Sequence, residues 1–209
     1  MKKSIFIFIL AILVLGGAFA FDLSAGLGGN FTINLDSLRY NGELITRNRT
    51  LGGGFFAFFE ASYVEVNIGM LFGGIRTKIP ALKNEYSDDK INVSYLTLGL
   101  LGKYPIYLGG ITFFPIFGIQ SDFGLSIKYA GKKLSTDRKE IYDALSKFWL
   151  KFGAGADLNL SRSMFLRPII LYGFNFGSKE NREAMKLMSS DAKSIYHGLD
   201  ARVVLGIKF

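Results

Sequence analysis

The sequence predicts an all-β protein: eight antiparallel strands, connected up and down, that close into a barrel crossing a membrane. Three observations carry that prediction. Segment after segment alternates apolar residues with small or charged ones, the period-two pattern of a strand whose two faces meet different surroundings. Beyond the first 20 residues no apolar run approaches the roughly 20 residues that a spanning helix needs. The charged residues fall on the face opposite the apolar stripe, where a water-soluble barrel would keep its grease.

The amino end sets the compartment. Lys2 and Lys3 precede an apolar run from Ile5 to Leu15, and Ala18, Phe19 and Ala20 follow. A charged start, a short apolar core and an Ala-x-Ala site read as a secretory signal peptide cleaved after Ala20. The expected organisation is a signal peptide over residues 1–20 and one barrel domain over residues 21–209. Lys and Arg number 25 against 17 Asp and Glu, a formal net charge of +8. The excess is spread along the chain, which suits anionic headgroups and argues against a nucleic-acid partner. There is no cysteine, so neither a disulfide framework nor thiol chemistry is available. With 49% hydrophobic residues and 25 glycines against 4 prolines, the composition suits strands. In lipid, strands must close on themselves, because an open edge leaves backbone groups unpaired at several kcal/mol each.

In chain order, the first strand has Leu23, Ala25, Leu27, Phe31 and Ile33 on one face and Ser24, Gly26, Gly28, Asn30 and Thr32 on the other. Leu35 to Thr50 is polar, contains Asn41-Gly42 and reads as a long loop. The second strand, Gly53 to Ala61, is ambiguous in facing because Phe55, Phe56, Phe58 and Phe59 occupy both sides. A tight turn at Ser62-Tyr63 leads to a third strand with Val64, Val66, Ile68, Met70 and Phe72 set against Glu65, Asn67 and Gly69. Gly74 to Lys90, ending in Asp88-Asp89, is the next loop. The fourth strand, Ile91 to Tyr104, sets Leu96, Leu98 and Leu100 against Tyr95, Thr97, Gly99 and Lys103. After a short turn from Pro105 to Gly110, the fifth runs from Ile111 to Tyr129, with Gln120 and Asp122 as its only hints of parity and a bulge or an irregular start expected at Pro115. Ala130 to Lys147 is a polar loop in which Asp137 and Glu140 form a capping box for a short helix. The sixth strand places Leu150, Phe152, Ala154 and Leu158 opposite Lys151, Gly153, Gly155 and Asp157. The seventh places Leu166, Ile170, Tyr172 and Phe174 opposite Arg167, Gly173 and Asn175. Gly177 to Ile195 is the last loop, with a helix expected from Ser178 through Met188. The eighth strand alternates Leu199, Ala201, Val203, Leu205, Ile207 and Phe209 with Asp200, Arg202 and Lys208, and Val204 is its apolar exception.

The connections therefore alternate long and short, which puts long loops at one rim and tight turns at the other. The inward face is expected to hold a charge network of Glu60, Glu65, Asp122, Asp157 and Asp200 with Lys103, Lys151, Arg167, Arg202 and Lys208. An unpaired buried ion costs several kcal/mol, so such a face must be self-neutralising. Eight strands enclose a lumen just wide enough for side chains to fill, which excludes a wide pore. Tyr63, Tyr104, Tyr107, Phe165 and Phe209 on the turn side, with Tyr129, Phe148, Trp149 and Tyr196 on the loop side, read as interfacial aromatic girdles. No metal site or cofactor is expected, since Asp88-Asp89 alone makes no ligand cluster. His197, the only histidine, is expected at the rim in the last loop.

The alternating carboxyl-terminal strand that closes on Phe209, with Ile207 and Leu205 before it, resembles the terminal signature of bacterial outer-membrane β-barrels. The resemblance implies recognition by the barrel-assembly machinery and residence, as a monomer, in the outer membrane. In strand count and length the chain is similar to small barrels of the OmpX and OmpA-domain type, which display loops toward surfaces, host molecules or lipopolysaccharide. The polar, mildly basic loops favour that role: a non-enzymatic barrel for envelope structure or surface contact, with outer-membrane lipid or lipopolysaccharide as partner. The chain also resembles the OmpW type, thought to pass small hydrophobic molecules sideways into the membrane, for which an apolar inner pocket under the loops is expected. The lipid A deacylase motif needs a serine two residues after a histidine, and Leu199 stands there after His197. No catalytic residues are expected.

Overall fold

The computed structural model describes residues 22–40, 43–79, 91–129, 132–133, 145–175 and 192–209. They form one antiparallel sheet of ten strands: β1 Leu23–Tyr40, β2 Glu43–Ala61, β3 Val64–Lys78, β4 Ile91–Lys103, β5 Ile106–Leu108, β6 Ile111–Tyr129, β7 Lys132–Lys133, β8 Lys147–Asn159, β9 Met164–Asn175 and β10 Ala192–Lys208. Each long strand pairs with its neighbours in sequence, β1 pairs with β10, and β4 pairs with β6. The eight long strands thus close into a ring, although not one evenly round an axis. β5 and β7 are short annexes to β6.

The alternation of the sequence becomes the two faces of the wall. Leu27 is 70% exposed and Ile170 61%, while Phe55, Val66, Leu100, Phe117, Val203 and Leu205 share that outer side. Glu60, Asp122, Lys151, Asp157, Arg167, Asp200 and Arg202 are buried on the inner one. Phe56, Phe58, Phe114 and Ile116 are buried as well, which fixes the inward parity of the second and fifth sequence segments. Tight connections lie together at one end. Ser62 turns with φ of 53° and donates its N–H to Asp22 O at 2.8 Å, and Gly109 turns β5 into β6 with φ of 66°. The start of β1 and the end of β10 also lie there, where Phe209 N–H donates to Leu23 O at 2.9 Å.

Three expectations change. Leu35–Thr50 is not a loop: β1 and β2 continue as a hairpin until Tyr40 faces Glu43. β3 likewise runs on to Lys78, and β10 begins at Ala192 within the segment expected as the last loop. Ladder pairing persists there although the apolar alternation that marks the lipid band has faded. Of the bulge or irregular start expected at Pro115, the bulge lies elsewhere, since β6 pairs with β8 through Pro115 without a register shift and the shift falls at Leu125, between Ser94 and Tyr95 of β4; the start is irregular on the other side, where β5 pairs with Ile111–Phe113 and β4 joins only at Ile116. Pro115 O accepts from Tyr104 N–H at 3.4 Å, so the side on which proline lacks a donor is the side where β4 has already broken at Pro105. The signal peptide at residues 1–20, the helix near Asp137 and Glu140 and the helix from Ser178 to Met188 lie outside the described residues.

Candidate functional site

The lumen is built in layers from inward side chains. Nearest the turn end, Arg167 of β9 spreads its guanidinium between three carboxylates. Its Nε and Nη2 donate to Asp157 at 2.6 and 3.0 Å, and its Nη1 donates to Glu60 at 2.6 Å and Glu65 at 2.9 Å. Lys103 forms an ion pair with Glu60, and Asn67 donates to the other oxygen of Glu65 at 3.3 Å. Phe58, Phe114 and Phe165 press their ring faces on the guanidinium, with centroids at 5.2, 5.1 and 4.6 Å. A planar, delocalised cation suits both neighbours at once, carboxylates at its edge and rings on its faces.

The next layer centres on Asp200. Arg202 donates to it through Nε and Nη2 at 3.0 and 2.7 Å, and Lys151 pairs with it at 3.1 Å. Arg202 also donates to Gln120 Oε1 at 2.6 Å, and Gln120 passes a hydrogen bond to Asp122 at 2.7 Å. Trp149 Nε1 donates to the second oxygen of Asp122, also at 2.7 Å. Above it, toward the loop end, Lys147 pairs with Asp36 at 3.3 Å. Apolar side chains fill what the charges leave. Ile169, Leu171 and Val204 join Phe56 and Phe58 around the lower layers, and Leu71, Val93, Tyr95 and Leu145 cluster beneath the loop-side rim. The small inward glycines are spacers: a Cβ on Gly206 would strike the Phe165 ring, and one on Gly155 would lie 2.7 Å from the Phe114 ring.

The structure brings Glu60, Glu65, Lys103, Asp157 and Arg167 into one cluster and Asp122, Lys151, Asp200 and Arg202 into another. Lys208 joins neither. It is exposed at the turn-side mouth and donates to Asn159 Oδ1 at 2.7 Å. The mouth opens on a cavity of about 390 Å³ whose inner end is Glu60, Lys103, Asp157 and Arg167. Tyr63, Tyr104, Tyr107 and Tyr129 are exposed near strand ends, and Tyr63 stacks on Tyr104 at 6.3 Å. Trp149 does not belong to a girdle, being 1% exposed inside the barrel, and Phe165 is fully buried there. Tyr196 shares the inward parity of Asp200 and Arg202 and is half-buried. Parity alone would have placed all three, because Trp149 stands two residues before Lys151, Phe165 two before Arg167 and Tyr196 four before Asp200. Asp36 and Lys147 were missed for a different reason, as both lie where strand pairing outlasts the apolar signal. His197 is also in a strand rather than a loop, where its Nδ1 lies 2.7 Å from Tyr172 Oη on the outer wall beside Phe174. Phe209, Ile207 and Leu205 point outward from β10 and are exposed.

No protein-family model and no curated protein matches the chain. Among solved structures it is similar to Neisserial surface protein A at 7% identity over 91% of this chain and 100% of that one, with a TM-score of 0.50. It is also similar to the outer membrane protein OprG of Pseudomonas aeruginosa at 15% identity, over 91% and 96% of the two chains, with a TM-score of 0.45. The attachment invasion locus protein Ail of Yersinia pestis follows at 13% identity over 90% and 99%, with a TM-score of 0.34. The fold is that of the small outer-membrane β-barrel proteins.

Proposed function

We propose that this chain, exported by a signal peptide cleaved after Ala20, is a monomeric, non-enzymatic barrel of the outer membrane. Its closed interior serves as a rigid strut, and its loop-side rim serves envelope structure or contact with anionic surfaces. The observation that carries the reading is the lumen, where Arg167 is 1% exposed and hydrogen-bonded across the interior to β2, β3 and β8 at once. The exposed apolar outer wall supports lipid as its surroundings, since a monomer in water rarely displays so continuous a patch. In this reading Phe209, Ile207 and Leu205 are what the assembly machinery recognises. Planar-bilayer recording and liposome swelling test the closed lumen. No steady conductance and no swelling are expected, and a steady current through the wild-type protein overturns it.

One observation favours a second reading, a narrow conduit for small hydrophobic molecules. Leu71, Val93, Tyr95 and Leu145, with Ile75, Ile91 and Ile127 against them, form an apolar cluster inside the loop-side end. The charged layers beneath would turn such a solute sideways through the wall. Uptake of a hydrophobic solute into proteoliposomes, lost in Leu145→Asp, would favour the conduit over the strut.

A further inference from the structure

The inward network expected from the sequence, five acids against five bases, is neutral only if Lys208 is counted, and Lys208 is exposed at the turn-side mouth, where it donates to Asn159. In the layer around Asp200 the signs still balance, Asp122 and Asp200 against Lys151 and Arg202, and Lys147 balances Asp36 above it. The cluster nearest the turn end is different. Glu60, Glu65 and Asp157 are 7%, 4% and 6% exposed, and the cations that pair with them are Lys103 and Arg167 alone. Among the described residues of this cluster one negative charge is left over, inside a wall of lipid-facing strands. A buried charge without a counter-ion is strongly destabilising, so this one calls for a partner.

The excess charge has an opening beside it. Glu60 and Asp157 lie at the inner end of the cavity of about 390 Å³ at the turn-side mouth, and Asp22, which is exposed, stands at its lip. Lys103 and Arg167 both engage Oε2 of Glu60, so Oε1 carries neither. Ser24 lines the same cavity. It is 4% exposed, and its Oγ has no hydrogen-bond partner. A buried hydroxyl left without a partner is rare, and it marks, independently of the charge, a place where a polar group from outside the chain belongs. Tyr63, Tyr107 and Phe114 add aromatic lining.

We propose that the turn-side cavity binds a linear aliphatic diamine, with one ammonium seated against Glu60 and Ser24 and the other at Asp22. The site is independent of what the loop-side rim contacts. An ammonium brings one positive charge and three donors, which answers the excess carboxylate and the orphaned hydroxyl together. The aromatic lining attracts the cation and covers its methylene stem. A divalent metal ion needs several oxygen ligands converging on one point. Among the described residues no group of three or more acidic or imidazole side chains converges in that way, and Asp157 has both oxygens committed to Arg167. The volume is at the small end for a ligand pocket and suits a short chain.

The test is calorimetric titration of the full chain, refolded in a neutral detergent, with putrescine, n-butylamine and butanediol as probes. The wild type is expected to bind putrescine, to bind butylamine about three- to fivefold more weakly for want of the exposed pair at Asp22, and to ignore the diol. Glu60→Gln cancels the excess charge and should cost putrescine about tenfold or more. Lys103→Gln enlarges the excess and should tighten putrescine about tenfold, a change of opposite sign that mere damage to the cluster does not produce. Asp22→Asn should bring putrescine down to the level of butylamine, and Ser24→Ala should weaken both amines several-fold. No binding of putrescine by the wild type, equal binding of the diol, displacement by equimolar magnesium, or an affinity unchanged in both Glu60→Gln and Asp22→Asn overturns the site. Heat-modifiable migration on unboiled gels accompanies every variant, and its absence in the wild type sinks the barrel reading itself rather than the amine site.

Discussion

Arg167 is held by four hydrogen bonds to three acidic side chains and enclosed by three phenylalanine rings, so its charge belongs to the fold rather than to a surface. Removing one partner from a buried network leaves uncompensated charge, at a cost of about 3–5 kcal/mol. Arg167→Met should therefore lower the urea midpoint of the folded band sharply. Adding Glu65→Gln and Asp157→Leu should restore part of the loss, since apolar replacement of a whole buried pair is often close to neutral. An unchanged midpoint in Arg167→Met alone would show that the cation is not buried as described. Trp149 provides a second residue-scale test because it is the chain's only tryptophan. Its fluorescence should resist quenching by brominated acyl chains. Moving the indole one residue, by Trp149→Phe with Phe148→Trp, should make it quenchable, because Phe148 is exposed on the outer side. Strong quenching of the wild type would return Trp149 to the girdle where sequence reasoning first put it.

At the scale of the strand, the β1–β10 seam is packed to contact. A Cβ on Gly206 would meet the ring of Phe165, and one on Gly26 would meet Leu205 O and the ring of Phe58. Gly206→Val is expected to cost about 1–3 kcal/mol by overpacking, and Phe165→Leu in the same chain should recover part of it. Denaturation midpoints of the two variants check this, and no rescue would mean that the strain lies in the backbone. That seam also shows what the sequence can and cannot disclose. The eight strands were legible because lipid demands apolar residues on one face at every second position, a demand that repeats eight times. Their ends were not legible where the chain leaves the lipid, since backbone pairing of Leu35–Tyr40 with Glu43–Arg49 needs no apolar pattern. The inward charges were legible by parity from the outer stripe. The phenylalanines of β2 were not, because both faces carry them: Phe55 and Phe56 differ only in which side of the wall they occupy, and that is fixed by their partners Met70 and Gly69.

For the molecule as a whole, the wall stands taller than the lipid it crosses. β1 has 18 residues and β2 has 19. At about 3.4 Å per residue those are strands of roughly 60 and 65 Å, set across an apolar band about 25 Å tall. On the β1–β2–β3 flank the described wall therefore rises well beyond that band. Its tall flank is also the one that carries Arg47, Arg49, Arg76 and Lys78. A molecule so built is not interchangeable under rotation about the bilayer normal: it has a front and a back. Neighbours drifting in the plane of the sheet of lipid meet a charged bulwark from one bearing and an aromatic shoulder, with Phe152, Tyr172, Phe174 and His197, from the other. Crowded copies would then settle by compass direction and not at random.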